Sequence, residues 1–234
     1  MKPRPLFLFL VLSALNLSIS FTYGAPSRQS CDPLRFDRVC TSNRLTTQNA
    51  RLAVEGPFLV RLIYFLPSDR PYRAAVELEM DSLIREVQTF YATQMELHGF
   101  GPKTFAFETA PDTGQAVVHR VDGKYREASY SGPLTSDSVK AEIQTRFPVQ
   151  DYPLEENVYL IVVDVSNERI DDVHGRGGRI GPIGGAAYVP ASGAGFSLYT
   201  VAHELGHAFG LHHNFNDDRL IMSYGNDPNP QLSA

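Results

Sequence analysis

Runs of apolar residues divide the chain into a small set of elements. Phe58–Leu66 (FLVRLIYFL) is short, aromatic and β-branched, follows Gly56–Pro57 and stops at Pro67, which predicts a buried strand. From Arg73 to His98 the period lengthens. Ala75, Leu78, Leu83, Val87, Phe90, Tyr91 and Met95 recur at roughly helical spacing, and Gly99 is placed to end the helix. Lys103–Glu108 alternates as a strand, and Ala116–His119 reads as a second. Ser138–Phe147 reads as a short helix with Pro148 beyond it. Val158–Val165 (VYLIVVDV) is so continuously apolar that it predicts a strand buried on both faces. His174–Gly195 then holds eight glycines in 22 residues and is expected to form surface loops around one short strand, Gly185–Val189. Phe196 precedes a compact helix, Leu198–Phe209, which breaks at Gly210. The order of strand, long helix, strands, central strand, loop, edge strand and helix suits one mixed sheet with helices packed against it.

Composition narrows the classes of function more than it selects one. The chain has 234 residues, 43% hydrophobic and 20% charged, which is enough to bury the core of one catalytic-sized domain. Acidic residues number 26 against 21 basic, giving net charge −5, so no basic footprint points to a nucleic-acid partner. Two cysteines exclude a disulfide-dense scaffold and a four-cysteine zinc site. The N-terminus carries Lys2 and Arg4, then the apolar run Leu6–Leu17, then small residues at Ser18, Ser20, Thr22 and Gly24. That layout predicts a secretory signal peptide over 1–24, with cleavage after Ser20 or Gly24, and a secreted or extracytoplasmic location. In an oxidising compartment Cys31 and Cys40 are free to pair. Residues 25–56 are polar with little periodicity and read as an N-terminal extension or pro-segment, leaving 57–234 as the catalytic domain. No later segment is long and apolar enough to span a bilayer, so no stable membrane insertion is expected after signal cleavage. A monomer is expected.

The chemistry is concentrated in one run, His203-Glu204-Leu205-Gly206-His207-Ala208-Phe209-Gly210-Leu211-His212-His213. His203 and His207 are four apart, so a helix presents both imidazoles on one face, with Glu204 beside the first. A catalytic zinc site takes three protein ligands and keeps one position open. His213 cannot supply the third from the same straight helix, because ten residues would carry it about 15 Å along the axis. The chain must turn back, and Gly210 sits where a left-handed backbone would allow it. His212 is the adjacent competitor for the third position, although it breaks the spacing.

The run HELGHAFGLHH resembles the extended zinc signature of the metzincin metallopeptidases, and Ile221-Met222-Ser223-Tyr224-Gly225 resembles their Met-turn. The resemblance implies an α+β, zincin-like catalytic domain: a mixed twisted sheet with an active-site helix and a long backing helix. It implies a zinc cofactor on His203, His207 and His213, with Met222 as an apolar floor beneath them. Tyr224 matches the tyrosine that astacin-like and serralysin-like members place near the metal. Gly184–Val189 resembles the edge strand that pairs with an extended peptide, through Gly185, Ala186 and Ala187. The implied activity is endopeptidase hydrolysis of a peptide or protein substrate by a metal-activated water, with Glu204 as general base. These motifs cover about 40 residues, from Gly184 to Gly225. Two departures stand out. Nine residues follow Gly225 where the family usually has a C-terminal helix, so the chain reads as a truncated or minimal member or a fragment, and Asn214 follows the third histidine.

Several readings stay open at this stage. Asp164, Asp171, Asp172 and His174 could hold a structural calcium or second zinc, or form a solvated loop. Cys31 could act as a cysteine switch. The site could belong to an inactive binding module, or be closed as a structural zinc centre by His212 or His174. Tyr224 could equally be a packing residue against Met222.

Overall fold

The coordinates are a computed structural model, and residues 59–146, 153–224 and 229–233 are described here. The expected signal peptide, the extension over 25–56 and the Cys31–Cys40 pairing lie outside the described residues. Strand β1 (Leu59–Leu66) is central, as its apolar run predicts. On one side it pairs in parallel with β2 (Ala106–Phe107) and then with β3 (Val118–Asp122), which occupy successive stretches of the same edge. On the other side lies β4 (Val158–Val163), also parallel and buried at every residue. Strand β6 (Gly184–Pro190) continues the sheet in parallel, and β5 (Arg176–Ile180) closes it as the single antiparallel strand. The path is β2-β1-β4-β6-β5, with β3 also on β1. The fold is therefore α+β with a mixed sheet, as expected.

Alternating residues send the strands' side chains to two cores. Val60, Leu62, Tyr64, Leu160 and Val162 meet α1 (Ala74–Leu97) and α3 (Leu198–Ala208). Ile63, Phe65, Tyr159, Ile161 and Val163 face Val139 and Ile143 of α2 (Thr135–Arg146). Cover on both faces explains why β1 and β4 read as unbroken apolar runs. Helix α1 ends where Gly99 predicts. Gly99 adopts φ +83°, its N–H reaches Glu96 O and Phe100 N–H reaches Met95 O, the paired bonds of a Schellman cap. The buried stripe on α1 is Val76, Met80, Leu83, Ile84, Val87 and Tyr91. Leu78 and Ala75, expected within it, are exposed. The period was right, but the face is set by Val76 and Met80.

Two expectations about the sheet are corrected. Part of the glycine-rich stretch expected to be loop is strand β5, and Gly185, Ala186 and Ala187 are not on an edge. Each is paired on both sides: Gly185 with Val158 and Arg179, Ala186 with Tyr159 and Gly178, Ala187 with Leu160 and Gly177. Among the described residues, the outer edge of the sheet beside the helix at Leu198–Ala208 belongs to β5.

Asp164 is not available to a cation. Its side chain is fully buried after β4 and accepts bonds from Tyr64 Oη (2.5 Å), Arg73 Nε (3.0 Å) and Arg70 (2.8 and 3.0 Å). Asp171 instead accepts from the Ser136 N–H and hydroxyl at the start of α2. The grouping of Asp164, Asp171, Asp172 and His174 as a second metal site is therefore dispersed by the fold. Burial pushes the Asp164 carboxyl up, but the bonds from Tyr64, Arg73 and Arg70 outweigh it and hold the pKa below 3.8. A depressed folded pKa stabilises the protein above the unfolded value and loses that contribution as pH falls through the folded one. Asp164→Asn should thus cost about 3 kcal/mol in urea denaturation near neutrality. The gap between wild type and variant should shrink as the pH is taken below 3.8. A gap unchanged through acid would show that the carboxylate's charge contributes nothing.

Candidate metal centre

Helix α3 carries the first two histidines. Ser197 caps its N-terminus by accepting from Thr200 N–H, and the apolar face Val201, Ala202, Leu205 and Ala208 packs on the sheet. The helix ends in a second Schellman cap. Gly210 takes φ +96°, its N–H reaches His207 O (3.0 Å), and Leu211 N–H reaches Gly206 O (2.9 Å). Only glycine adopts this backbone without strain. The reversal brings His213 back to the helix, as the spacing argument required.

The three histidines converge through their Nε2 atoms. His207 Nε2 lies 3.1 Å from His203 Nε2 and 3.0 Å from His213 Nε2. His203 Nδ1 is 2.6 Å from Ile221 O, and His207 Nδ1 is 2.8 Å from Leu211 O. A carbonyl can only accept, so each Nδ1 carries the proton and each of these two Nε2 atoms presents a bare lone pair. Burial first, then the neighbouring His207 and His213, push His203 down to about 4 against the Ile221 bond. Burial and His207 likewise lower His213. The two bare lone pairs of His203 and His207, 3.1 Å apart, repel each other unless a cation lies between them, and His213 Nε2 lies 3.0 Å from His207 Nε2. Tetrahedral zinc–imidazole geometry sets adjacent nitrogens about 3.3 Å apart. The donor set therefore fits a metal ion, and His203, His207 and His213 form the one such group among the described residues. His212 and His174 do not join it.

The surroundings hold this arrangement from three sides. Below, the Met222 sulfur packs where α3 is thinnest: a Cβ on Gly206 would lie 2.5 Å from Met222 Sδ and 3.2 Å from Tyr91 Oη. Met222 is 2% exposed, in keeping with a floor. Tyr91 on α1 donates to Ala202 O (2.8 Å), and so ties the backing helix to α3. Tyr199 stacks on His203 and donates to Ser223 O (2.8 Å). On the sheet side, Glu204 is buried against β5, where Gly177 N–H donates to its carboxylate. A side chain at Gly177 would enter the Glu204 backbone, so glycine is what lets α3 approach β5. Burial drives the Glu204 carboxyl up to about 7, against the opposing Arg176 charge and the Gly177 bond. From the third side, Ile221 N–H reaches Gln231 O (2.6 Å), while Leu232 bonds Gln94 Oε1 (2.9 Å) and His98 Nε2 (2.7 Å) on α1. The tail thus fixes the carbonyl that orients His203.

The solvent side is open. His213 is exposed, and Tyr224 stands 70% exposed with its ring 4.7 Å from that of His213. Tyr224 is therefore not buried against Met222, which removes the packing alternative. Phe215, 61% exposed, lies beside both rings. Sequence reasoning did not find Tyr91, Tyr199, Gly177, Phe215 or the Gln94–Leu232 link. Only Gly177 carried a signal, as one of a glycine cluster, and its role depends on a contact distant in sequence.

No family model matches this chain, and no curated protein matches it. Several solved structures are similar in part. OgpA from Akkermansia muciniphila, in a catalytically inactive form in complex with an O-glycopeptide (glycodrosocin) substrate, shares 20% identity over 67% of this chain and 49% of its own, at a TM-score of 0.49. Wild-type OgpA gives 21% identity and a TM-score of 0.48. The chain thus spans about half the length of the OgpA chains it matches. Archaemetzincin from Methanopyrus kandleri shares 18% identity over 74% of this chain and 84% of its own, at a TM-score of 0.35. These likenesses are distant, and the reading of the site rests on its own geometry.

Two outcomes follow. His203→Ala, His207→Ala and His213→Ala should each abolish tight binding of one metal equivalent by elemental analysis, while His212→Ala keeps it; loss on His212→Ala would overturn the ligand set. Gly206→Ala should overpack the contact with Met222 and Tyr91 and cost about 1–3 kcal/mol in urea denaturation. An unchanged midpoint would mean that the floor yields freely.

Proposed function

We propose that the chain is a zinc-dependent endopeptidase of metzincin type, secreted or extracytoplasmic as its N-terminus suggests. The observation that carries the reading is a buried glutamate, Glu204, set beside a three-histidine donor set whose outer side is open. A purely structural metal centre needs neither the glutamate nor the open side. When bound, zinc supplies Lewis acidity and lowers the pKa of the water it holds.

The remaining work falls to the chain. Glu204 is the group that would hold the proton of an attacking water at its carboxylate and would return it to the departing amine. Gly177 N–H fixes the rotamer that does so. Tyr224, exposed with its ring 4.7 Å from that of His213, is the donor available to the developing oxyanion. Beyond Gly177 N–H, which Glu204 takes, the outer edge of β5 has no strand partner among the described residues and could pair with an extended peptide, the role expected earlier of Gly185–Ala187. No covalent intermediate is needed, so Ser192 and Ser197 have no catalytic part.

Glu204→Gln should keep metal and fold and lose peptide hydrolysis by roughly 10²–10⁴-fold. Equal rates for the two proteins on a peptide library would remove Glu204 from the reaction, and no hydrolysis by either would favour a binding module. Tyr224→Phe should lower kcat and kcat/KM in parallel and leave KM and melting temperature unchanged. Wild-type kinetics in that variant would end the assignment of Tyr224.

A further inference from the structure

The β5 edge carries an unused cation. Gly177 N–H points away from β6, because it donates to the Glu204 carboxylate. Backbone groups alternate along a strand, so the N–H and C=O of Arg179 lie on that same outer edge. Side chains two apart share a face. A Cβ on Gly177 would meet Glu204, and the side chain of Arg179 lies over the end of α3, its Cδ 3.0 Å from where a Cβ of Gly210 would be. Arg179 therefore sits on the face that α3 covers, two residues along the edge from the point where Glu204 meets β5.

Its guanidinium is exposed and, among the described residues, makes no hydrogen bond or ion pair. Other arginines around the site differ. Arg176 projects to the opposite face with Asp171 at 3.8 Å, and Arg219 is bound to Asp217 at 2.5 Å. Glu204, on the same face as Arg179, is buried and held by Gly177. The chain's net charge of −5 disfavours acidic ligands at long range, so a preference for them has to come from a local cation.

We propose that Arg179 selects peptides with an acidic side chain two residues from the bond to be cut. The inference rests on the endopeptidase reading and names its substrate class. A peptide paired along β5 with its scissile carbonyl beside Glu204 brings a residue opposite Arg179 about 6.6 Å away along the strand. Cross-strand partners on one face are within side-chain reach, and the planar guanidinium fork matches a carboxylate. The competing role is a cation stabilising the last turn of α3. That role would act on all peptides alike.

The test uses labelled peptide pairs that differ only in Glu or Gln two positions from the central bond, on either side of it. Binding is read by fluorescence anisotropy on the zinc-loaded protein, and cleavage is followed in parallel. Wild type should bind one Glu peptide roughly tenfold more tightly than its Gln partner. Arg179→Ala should bring that ratio to about one, and Arg179→Glu should reverse it in favour of a Lys peptide. No difference between Glu and Gln peptides, including binding of neither, overturns the inference, as does a ratio that survives Arg179→Ala. A purely structural Arg179 would weaken both peptides equally and leave the ratio standing. Selective binding without hydrolysis would keep Arg179 and remove the endopeptidase reading; hydrolysis without selectivity would do the reverse.

Discussion

The Nε2 atoms of His203 and His207, held lone pair to lone pair at 3.1 Å with His213 Nε2 drawn to 3.0 Å from the second, are the constraint on which the rest of this structure depends. Such a cluster does not persist by its own attraction. It has to be imposed, and each imposing element can be named. Carbonyls of Leu211 and Ile221 take the Nδ1 protons of His207 and His203 and leave the lone pairs facing inward. Leu211 is there because Gly210 reverses the chain at a positive φ, and the same reversal returns His213 to the cluster. Ile221 is there because its backbone is pinned through Gln231, while the adjoining Leu232 ties to Gln94 and His98 of α1.

The sheet's contribution is proximity. Glycines at 177 and 185 remove side chains that would collide with the backbone of α3, so the helix lies close on β5 and β6. That closeness buries Glu204 against the outermost strand and beside the metal donors. Under the proposed function, one glutamate is thus shared between the edge offered to a peptide and the three-histidine centre. The opposite face, with α2 and its own apolar core, serves stability, and the Asp164 network with Tyr64, Arg70 and Arg73 secures the end of β4.

The parts of this arrangement legible in sequence are those whose signals are local. A helical period, a histidine pair four apart, a glycine at a helix end and an unbroken apolar strand each reflect neighbours along the chain. Accordingly α1, α3, β1, β4 and the turn at Gly210 stand close to where they were expected. The errors share one cause, which is contact at long sequence separation. Arg176–Ile180 reads as a loop because glycine is a poor strand former, yet Gly177 is demanded by a helix more than 20 residues later. With β5 overlooked, β6 passed for the edge. Asp164 looked like a free ligand because its partners lie 91 to 100 residues away. Tyr224 could not be assigned to solvent or core until the turn beneath it was placed.

The central claim is a three-imidazole metal centre with an open side, and zinc K-edge X-ray absorption on the zinc-loaded protein addresses it directly. The account predicts one zinc with three imidazole nitrogens at about 2.0 Å and the rest of its shell made of oxygen. A fourth imidazole, or sulfur at about 2.3 Å, would mean a closed centre and contradict it.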